Sequence, residues 1–371
     1  MLETRSTNLS AARGTPAAGD LPHLVQHLLD EAAAQRASDV HIEPTAAGYD
    51  LKYRVDGLLE HVQSLDAGTG RGVVTRLMVL ARLLTYRLDV PQEGRLSAAL
   101  PSLGATLELR LSIMPTTHGL RAVVRMPAEL SQPRMLGDLG LPASVLESLY
   151  RYAAGDSGLL IFTGPAGSGK TTSIYALLEH IATTSEGSSI ISLEDPVERD
   201  LPGVTQVEVS PFGQLTYERA LKSILRQDPQ VLALGEIRDR GTASLAVQAA
   251  LSGHRLICTL HAGTCGGAVA RVVEMGLEPS QIASSLWGVV GQRLLRRVSG
   301  PGEYCGRVPA AEIAMIDAPL RDLILQRSDA GSIEQHLRTL GDFEDMRGAA
   351  ADLVARGLTD QKEVDRVFGA P

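Results

Sequence analysis

The chain has 371 residues, 44% hydrophobic and 21% charged, with 35 basic against 43 acidic residues and a net charge of −8. That length is enough for two domains with separate cores, and the composition is that of a folded globular protein. The acidic balance argues against nucleic acid as the bulk partner, no run approaches the ~18 apolar residues of a membrane span, and the N-terminus lacks a signal-peptide pattern, so a cytoplasmic location is expected.

In chain order, residues 1–20 are rich in Ala, Thr, Ser and Gly without periodicity and read as a disordered arm. Leu21, Leu24, Val25, Leu28 and Leu29 recur at helical spacing and predict an amphipathic helix through Ala34. Two strands follow at 39–43 and 51–55, a helix over 71–86, and strands at 95–100, 105–113 and 120–126. Pro133, Gly137 and Gly140 then break the pattern. These readings place a first α/β domain at 21–130, a linker at 131–144 and a second domain from 145.

The second domain alternates: strand 158–163, helix 170–182, strand 189–193, helix 215–226, strand 231–235, helix 241–252, strand 255–260. Such alternation predicts a mostly parallel sheet with crossover helices over a core at 145–300. From Pro279 onward, including 301–371, the segments read as helical. Cys258, Cys265 and Cys305 form no C-x-x-C pair, and an odd count in a reducing compartment predicts free thiols.

The most specific stretch is Gly164-Pro165-Ala166-Gly167-Ser168-Gly169-Lys170-Thr171-Thr172, which is G-x-x-x-x-G-K-T between an apolar strand and a helix. A Gly-rich loop with no ligand can share this pattern, but the strand before it and the helix after it favour nucleotide binding. The glycines allow a sharp turn that brings N–H groups against phosphate at the helix N-terminus. Lys170 would reach the β- and γ-phosphates, and the Thr171 hydroxyl would sit on Mg²⁺.

Further strands end in candidate chemistry. Ile190-Ile191-Ser192-Leu193 delivers Glu194 and Asp195, either a solvated acidic turn or carboxylates that hold Mg²⁺ through water or polarise an attacking water. Val231-Leu232-Ala233-Leu234-Gly235 delivers Glu236 as a Walker B strand does, although many P-loop enzymes carry an Asp there. The strand at 255–260 ends in His261, a satisfied surface histidine or a phosphate sensor. Neither His254 nor His261 has a partner at zinc spacing, and no zinc is expected. Arg110, Arg125 and Arg226 are candidates to neutralise phosphoryl charge.

Taken together, the motifs resemble the hexameric secretion ATPases of type II secretion and type IV pilus assembly. The resemblance runs over about 21–371. It rests on Ala37-Ser38-Asp39-Val40-His41-Ile42-Glu43-Pro44 with Arg54-Val55-Asp56-Gly57, on Pro91-Gln92-Glu93-Gly94-Arg95, on the P-loop and on Leu193-Glu194-Asp195-Pro196-Val197-Glu198. It extends to Arg226-Gln227-Asp228-Pro229 running into Gly235-Glu236-Ile237-Arg238-Asp239, and to Gly253-His254 through His261 to Met275-Gly276.

It implies a PAS-like N-terminal α/β domain joined to a RecA-like ATPase domain with a helical C-terminal part, a homohexamer, ATP and Mg²⁺ as ligands, and nucleotide between the domains. In that picture Arg110 and Arg125 reach the γ-phosphate from the first domain and Arg226 from the second. The implied partners are an inner-membrane platform protein and acidic phospholipid, with peripheral membrane association through them. The C-x-x-C pairs that many relatives carry after Gln-Arg-Leu are missing after Gln292-Arg293-Leu294, and a short form without their long N-terminal docking domain is expected. Ala262-Gly263 and Lys222 also depart from the family pattern. Ser112–Gly119 and Met275-Gly276-Leu277 resemble the assembly branch. A retraction or DNA-uptake motor and a weakly active subunit of a mixed ring are the alternatives.

Overall fold

The computed structural model describes residues 21–127, 135–185, 187–209 and 215–370. The arm read over 1–20 and residues 131–134 of the expected linker lie outside the described residues. The chain divides into two units, one ending at Leu130 and the other beginning at Ser131.

The first unit comprises α1 (Leu21–Ala34), β1 (Asp39–Pro44), β2 (Gly48–Val55), β3 (Leu58–Asp66), α2 (Ala67–Leu80), β4 (Gln92–Leu100), β5 (Ala105–Thr116) and β6 (Gly119–Arg125). Its six strands form an antiparallel sheet in the order β3-β2-β1-β6-β5-β4. The period-2 alternation of a strand decides its faces. Val40, Ile42, Leu51, Tyr53, Leu109, Leu111 and Val124 turn inward and pack with Leu28, Val74 and Leu77 of the two helices. Asp39, His41, Arg54, Arg110 and Arg125 therefore share the opposite face.

Two features of this unit differ from the sequence reading. The strand β3 was not expected, because it is an edge strand with only Leu65 fully buried and so carries little apolar signal. The second helix starts at Ala67, capped by the Asp66 carboxylate, and stops at Leu80 rather than 86. Arg82 turns into the left-handed region at φ +56° and ends the helix.

The second unit opens with a 3-10 turn at Leu136–Leu139 and continues with α3 (Ala143–Ala153), β7 (Gly158–Thr163), α4 (Lys170–Thr184), β8 (Ile190–Glu194), β9 (Thr205–Glu208), α5 (Tyr217–Ile224) and β10 (Val231–Leu234). Then come α6 (Arg240–Leu251), β11 (Arg255–Leu260), α7 (Cys265–Glu274), α8 (Pro279–Ser285), β12 (Leu286–Gly300) and β13 (Glu303–Met315). It closes with α9 (Ala318–Leu325), α10 (Ala330–Thr339), α11 (Met346–Ala355) and α12 (Gln361–Phe368). The sheet order is β13-β12-β7-β11-β10-β8-β9, parallel throughout except for the β12–β13 pair.

Both faces of this sheet are covered, which is why its strands read as unbroken apolar runs. Leu159 and Ile161 pack toward α6, α7 and α8, while Leu160 and Phe162 pack toward α3 and α4. Leu136, Leu139 and Leu141, read from the sequence as linker, are buried in the core on the α3–α4 side. The larger correction concerns the region from Pro279, including 301–371, which was expected to be helical. Residues 286–315 instead form a long antiparallel hairpin. Its alanines, Ala310, Ala311 and Ala314, favour helix in isolation, but here they are buried strand residues, so pairing with β12 overrides local propensity. A smaller core of Leu295, Val308, Ala350, Leu353 and Val364 fastens α11 and α12 to this hairpin.

Candidate functional site

The neighbouring parallel strands β7, β11, β10 and β8 all end at one edge of the second sheet, so Thr163, Leu260, Leu234 and Glu194 bring their following loops together. The carboxyl edge of an open parallel sheet is where such folds bind ligands. Between β7 and α4 lies the loop 164–169. Gly164, Gly167 and Gly169 take φ values of +147°, +74° and +90°, a region that side chains other than glycine rarely adopt. A Cβ on Gly164 would also lie 2.4 Å from the Gln292 carbonyl oxygen, and one on Gly169 2.6 Å from Gln292 Nε2.

Lys170 opens α4 and is 8% exposed. Its ammonium donates to the carbonyls of Gly164 and Pro165, each at 2.8 Å, and so uses two of its three protons on the loop itself. Burial, helped by the nearby Arg293 guanidinium and opposed by Glu236, lowers its pKa to about 8. The buried Ser168 Oγ has no hydrogen-bond partner among the described residues. Thr171 and Thr172 are half-buried at the start of the helix. The loop therefore presents an unpaired hydroxyl, a remaining ammonium proton and a helix N-terminus, which is the donor set a phosphate chain takes up.

Glu236 follows β10. Its carboxylate accepts from Arg238, and Oε2 lies 3.4 Å from His261 Nε2. A Cβ on Gly235 before it would lie 2.6 Å from the Tyr217 hydroxyl, so a larger residue there would have to displace that ring. Glu194, at the end of β8, is 7% exposed. It takes hydrogen bonds from the Tyr175 hydroxyl, from Ser192 Oγ at 2.5 Å and from Gln206 Nε2 at 3.0 Å, so both of its oxygens are engaged within the protein. Asp195 lies 3.6 Å from Arg238.

The structure thus brings Lys170, Thr171, Glu194, Glu236 and His261 to one sheet edge. The Arg226 side chain is exposed beyond α5 and makes no hydrogen bond or ion pair among the described residues. Arg110 and Arg125 belong to the first unit, at facing positions of β5 and β6.

Sequence reasoning used Gln292-Arg293-Leu294 only as a landmark and missed what these residues do. Gln292, 3% exposed on β12, lies under both ends of the phosphate loop and accepts from Ser173 Oγ at 2.9 Å. Arg293 donates to the Gly263 carbonyl at 2.8 Å and so ties β12 to the loop after His261. No local pattern marks them, because their role depends on β12 pairing with β7.

The fold and this edge define a RecA-like P-loop ATPase. Residues 17–366 match the family model described as type II/IV secretion system protein. The chain belongs to that family of secretion ATPases. It is 38% identical to the type II secretion system protein HxcR of Pseudomonas aeruginosa, over 93% of this chain and 76% of that protein. It is 35% identical to the type II secretion system ATPase E of Vibrio cholerae, over 93% of this chain and 74% of that protein. Among solved structures, the Legionella pneumophila ATPase DotB superposes with a TM-score of 0.75 at 21% identity, covering 94% of this chain and 96% of that one. The pilus retraction motor PilT with bound ADP superposes with a TM-score of 0.65 at 25% identity, covering 93% and 96%. No helix among the described residues is long and apolar enough to cross a membrane.

Proposed function

We propose that the chain is a Mg²⁺-dependent ATPase that works as a homohexamer and drives assembly of a type II secretion pseudopilus or type IV pilus. The observation that carries the catalytic part is the convergence of the Lys170 loop with Glu236 and His261 at the ends of β7, β10 and β11.

In this reading the loop amides, Lys170 and Ser168 hold the β- and γ-phosphates. Thr171 and Glu236 would hold Mg²⁺, with Glu194 assisting, and the ion would supply charge neutralisation at the phosphates. Glu236 orients the attacking water and takes its proton, and His261 and Arg238 keep that carboxylate aimed. Glu194 already accepts from Tyr175, Ser192 and Gln206, which leaves its carboxylate one acceptor position, on Oε2, for a water. Arg110 and Arg125, with Arg226, are proposed to neutralise charge on the transferring phosphoryl group.

Arg110 supports this assignment: its neighbours across the sheet are Arg95 and Arg125, and it has no ion-pair partner among the described residues. Like charges on facing residues destabilise a sheet, so this cation is poised for an anion supplied from outside the sheet.

The relatives named for type II secretion favour assembly over retraction, and the platform protein of such a machine, in the inner membrane, is the proposed partner, with acidic phospholipid beside it. The protein would then be peripheral to that membrane from the cytoplasmic side. The test is Mg²⁺-dependent phosphate release by the purified chain, with mass in solution measured with and without a non-hydrolysable ATP analogue. Hydrolysis that rises as hexamers form is expected. Tight ATP binding by a hexamer without turnover would replace the motor with a structural subunit.

A further inference from the structure

One row of residues runs straight across the outer face of the first sheet. The register pairs Arg95 with Arg110, Arg110 with Arg125, Arg125 with Asp39 and Asp39 with Arg54. Four arginines thus share a row with a single carboxylate. Asp39 is 7% exposed and is held from both sides: Arg125 Nε donates to Oδ1 at 3.2 Å, and Arg54 Nε lies 3.6 Å from Oδ2. Ser38 Oγ also donates to Oδ2, at 2.8 Å. Arg125 itself is 72% exposed at its side chain, so the buried carboxylate holds it at Nε and leaves its outer nitrogens open.

We infer that Asp39 is a positioning residue for hydrolysis: it grips Arg125 at Nε, fixes the direction of the guanidinium, and leaves the terminal nitrogens to meet an anionic oxygen. Arg54 and Ser38 act one step further out by fixing Asp39. The geometry supports this division of labour because a guanidinium offers five donors in a rigid fork. Anchoring one edge of that fork selects the orientation of the other. An exposed arginine without such an anchor samples many rotamers, and ordering them would oppose its stabilisation of charge in the transition state. This inference rests on the proposed role of Arg125 in phosphoryl transfer.

The experiment is a double-mutant cycle on ATP hydrolysis by the full chain, with Asp39→Asn, Arg125→Ala and the pair, each checked for folding by its thermal midpoint. Arg125→Ala is expected to lower kcat. Asp39→Asn should lower kcat by about tenfold while changing the KM for MgATP by less than about threefold, because the anchor is lost while the P-loop is intact. In the Arg125→Ala background Asp39→Asn should cost nothing more, because there is no guanidinium left to orient. Asp39→Glu, which keeps the charge, should recover part of the lost rate.

An equal further loss in the double variant would overturn the inference while leaving the Arg125 reading standing. Wild-type turnover by Arg125→Ala would remove that reading, and this inference with it. If Asp39→Asn fails to fold, Arg54→Gln carries the same cycle from the other side of the carboxylate: a rate loss that vanishes without Arg125 supports the inference, and one that persists overturns it.

Discussion

His261 Nε2 lies 3.4 Å from Glu236 Oε2, across the ends of the adjacent parallel strands β11 and β10. Two residues 25 positions apart in sequence meet because each follows a strand of one sheet, and Arg238 donates to the same carboxylate. If Glu236 positions the attacking water, Glu236→Gln should lower kcat by at least about a hundredfold, since general-base contributions run to that size. ATP binding should survive, because phosphate is held by the loop at 164–170. Single-turnover phosphate release alongside equilibrium binding of a fluorescent ATP analogue separates the two. Loss of binding equal to the loss of rate would count against a role in the chemical step.

The pKa of Lys170 predicts a pH dependence of binding. Burial first, and the Arg293 charge second, hold the free ammonium at about 8. Phosphate restores the charged form, so the pKa rises when nucleotide binds. Affinity should therefore be constant below pH 8 and fall as pH rises above it, by up to about tenfold per unit until the pKa of the bound state is reached. Titration calorimetry at pH 8.5 in two buffers of different ionisation enthalpy should detect proton uptake on binding. Identical heats after correction for ATP ionisation would show that Lys170 is already charged in the free protein.

How much of this was legible in the sequence depends on whether local pattern or pairing decided each element. The loop at 164–171 could be read because its glycines and lysine act within a few residues of one another. Glu236 and His261 could be read as strand ends because β10 and β11 are buried on both faces and therefore unbroken in hydrophobicity. The hairpin at 286–315 could not: β12 carries Gln292, Arg293, Arg296 and Arg297, and β13 carries helix-favouring alanines, so only their mutual pairing makes them strands. For the same reason Gln292 was missed, as its role appears only once β12 lies beside β7. The partners of Glu194 were hidden likewise, because Tyr175 lies 19 residues and Gln206 12 residues away in sequence.

Gln292 offers a test of the floor beneath the phosphate loop. Its side chain meets Ser173 Oγ and lies close under Gly169, while its carbonyl lies under Gly164. Gln292→Ala would leave the buried Ser173 hydroxyl without its acceptor, at a cost of about 1–3 kcal/mol in stability. It would also free the loop, so the KM for MgATP should rise. Gln292→Glu keeps the acceptor and adds a negative charge close to the loop, so it should fold more stably than the alanine variant yet bind ATP less tightly than wild type. Thermal midpoints and KM values measured on the same preparations test this, and an unchanged KM in both variants would reduce Gln292 to a packing residue.

The last prediction concerns what fastens the C-terminal helices to the ATPase sheet. Glu363 on α12 is fully buried and accepts from Arg296 Nε at 3.0 Å and Nη2 at 2.8 Å, from the Arg296 backbone N–H at 2.9 Å and from Arg366 Nε at 2.7 Å. Burial pushes its pKa upward, but the hydrogen bonds from Arg366 and Arg296 outweigh burial and hold it at about 2. A carboxylate depressed in the folded state stabilises it fully above its unfolded pKa of ~4.5, and that stability is lost as pH falls from there toward 2. Arg296 also stacks 3.9 Å from the Tyr304 ring, whose hydroxyl donates to Asp360 at 2.7 Å, so strand, hairpin and helix form one cluster. Glu363→Gln should leave two arginines against a neutral amide and destabilise by about 3–5 kcal/mol, the range for breaking a buried ion pair. Hydrogen exchange should show the loss first in α11 and α12, while β7 and α4 stay protected. Uniform loss across the unit would mean that the cluster is part of one cooperative core instead of a separate fastening.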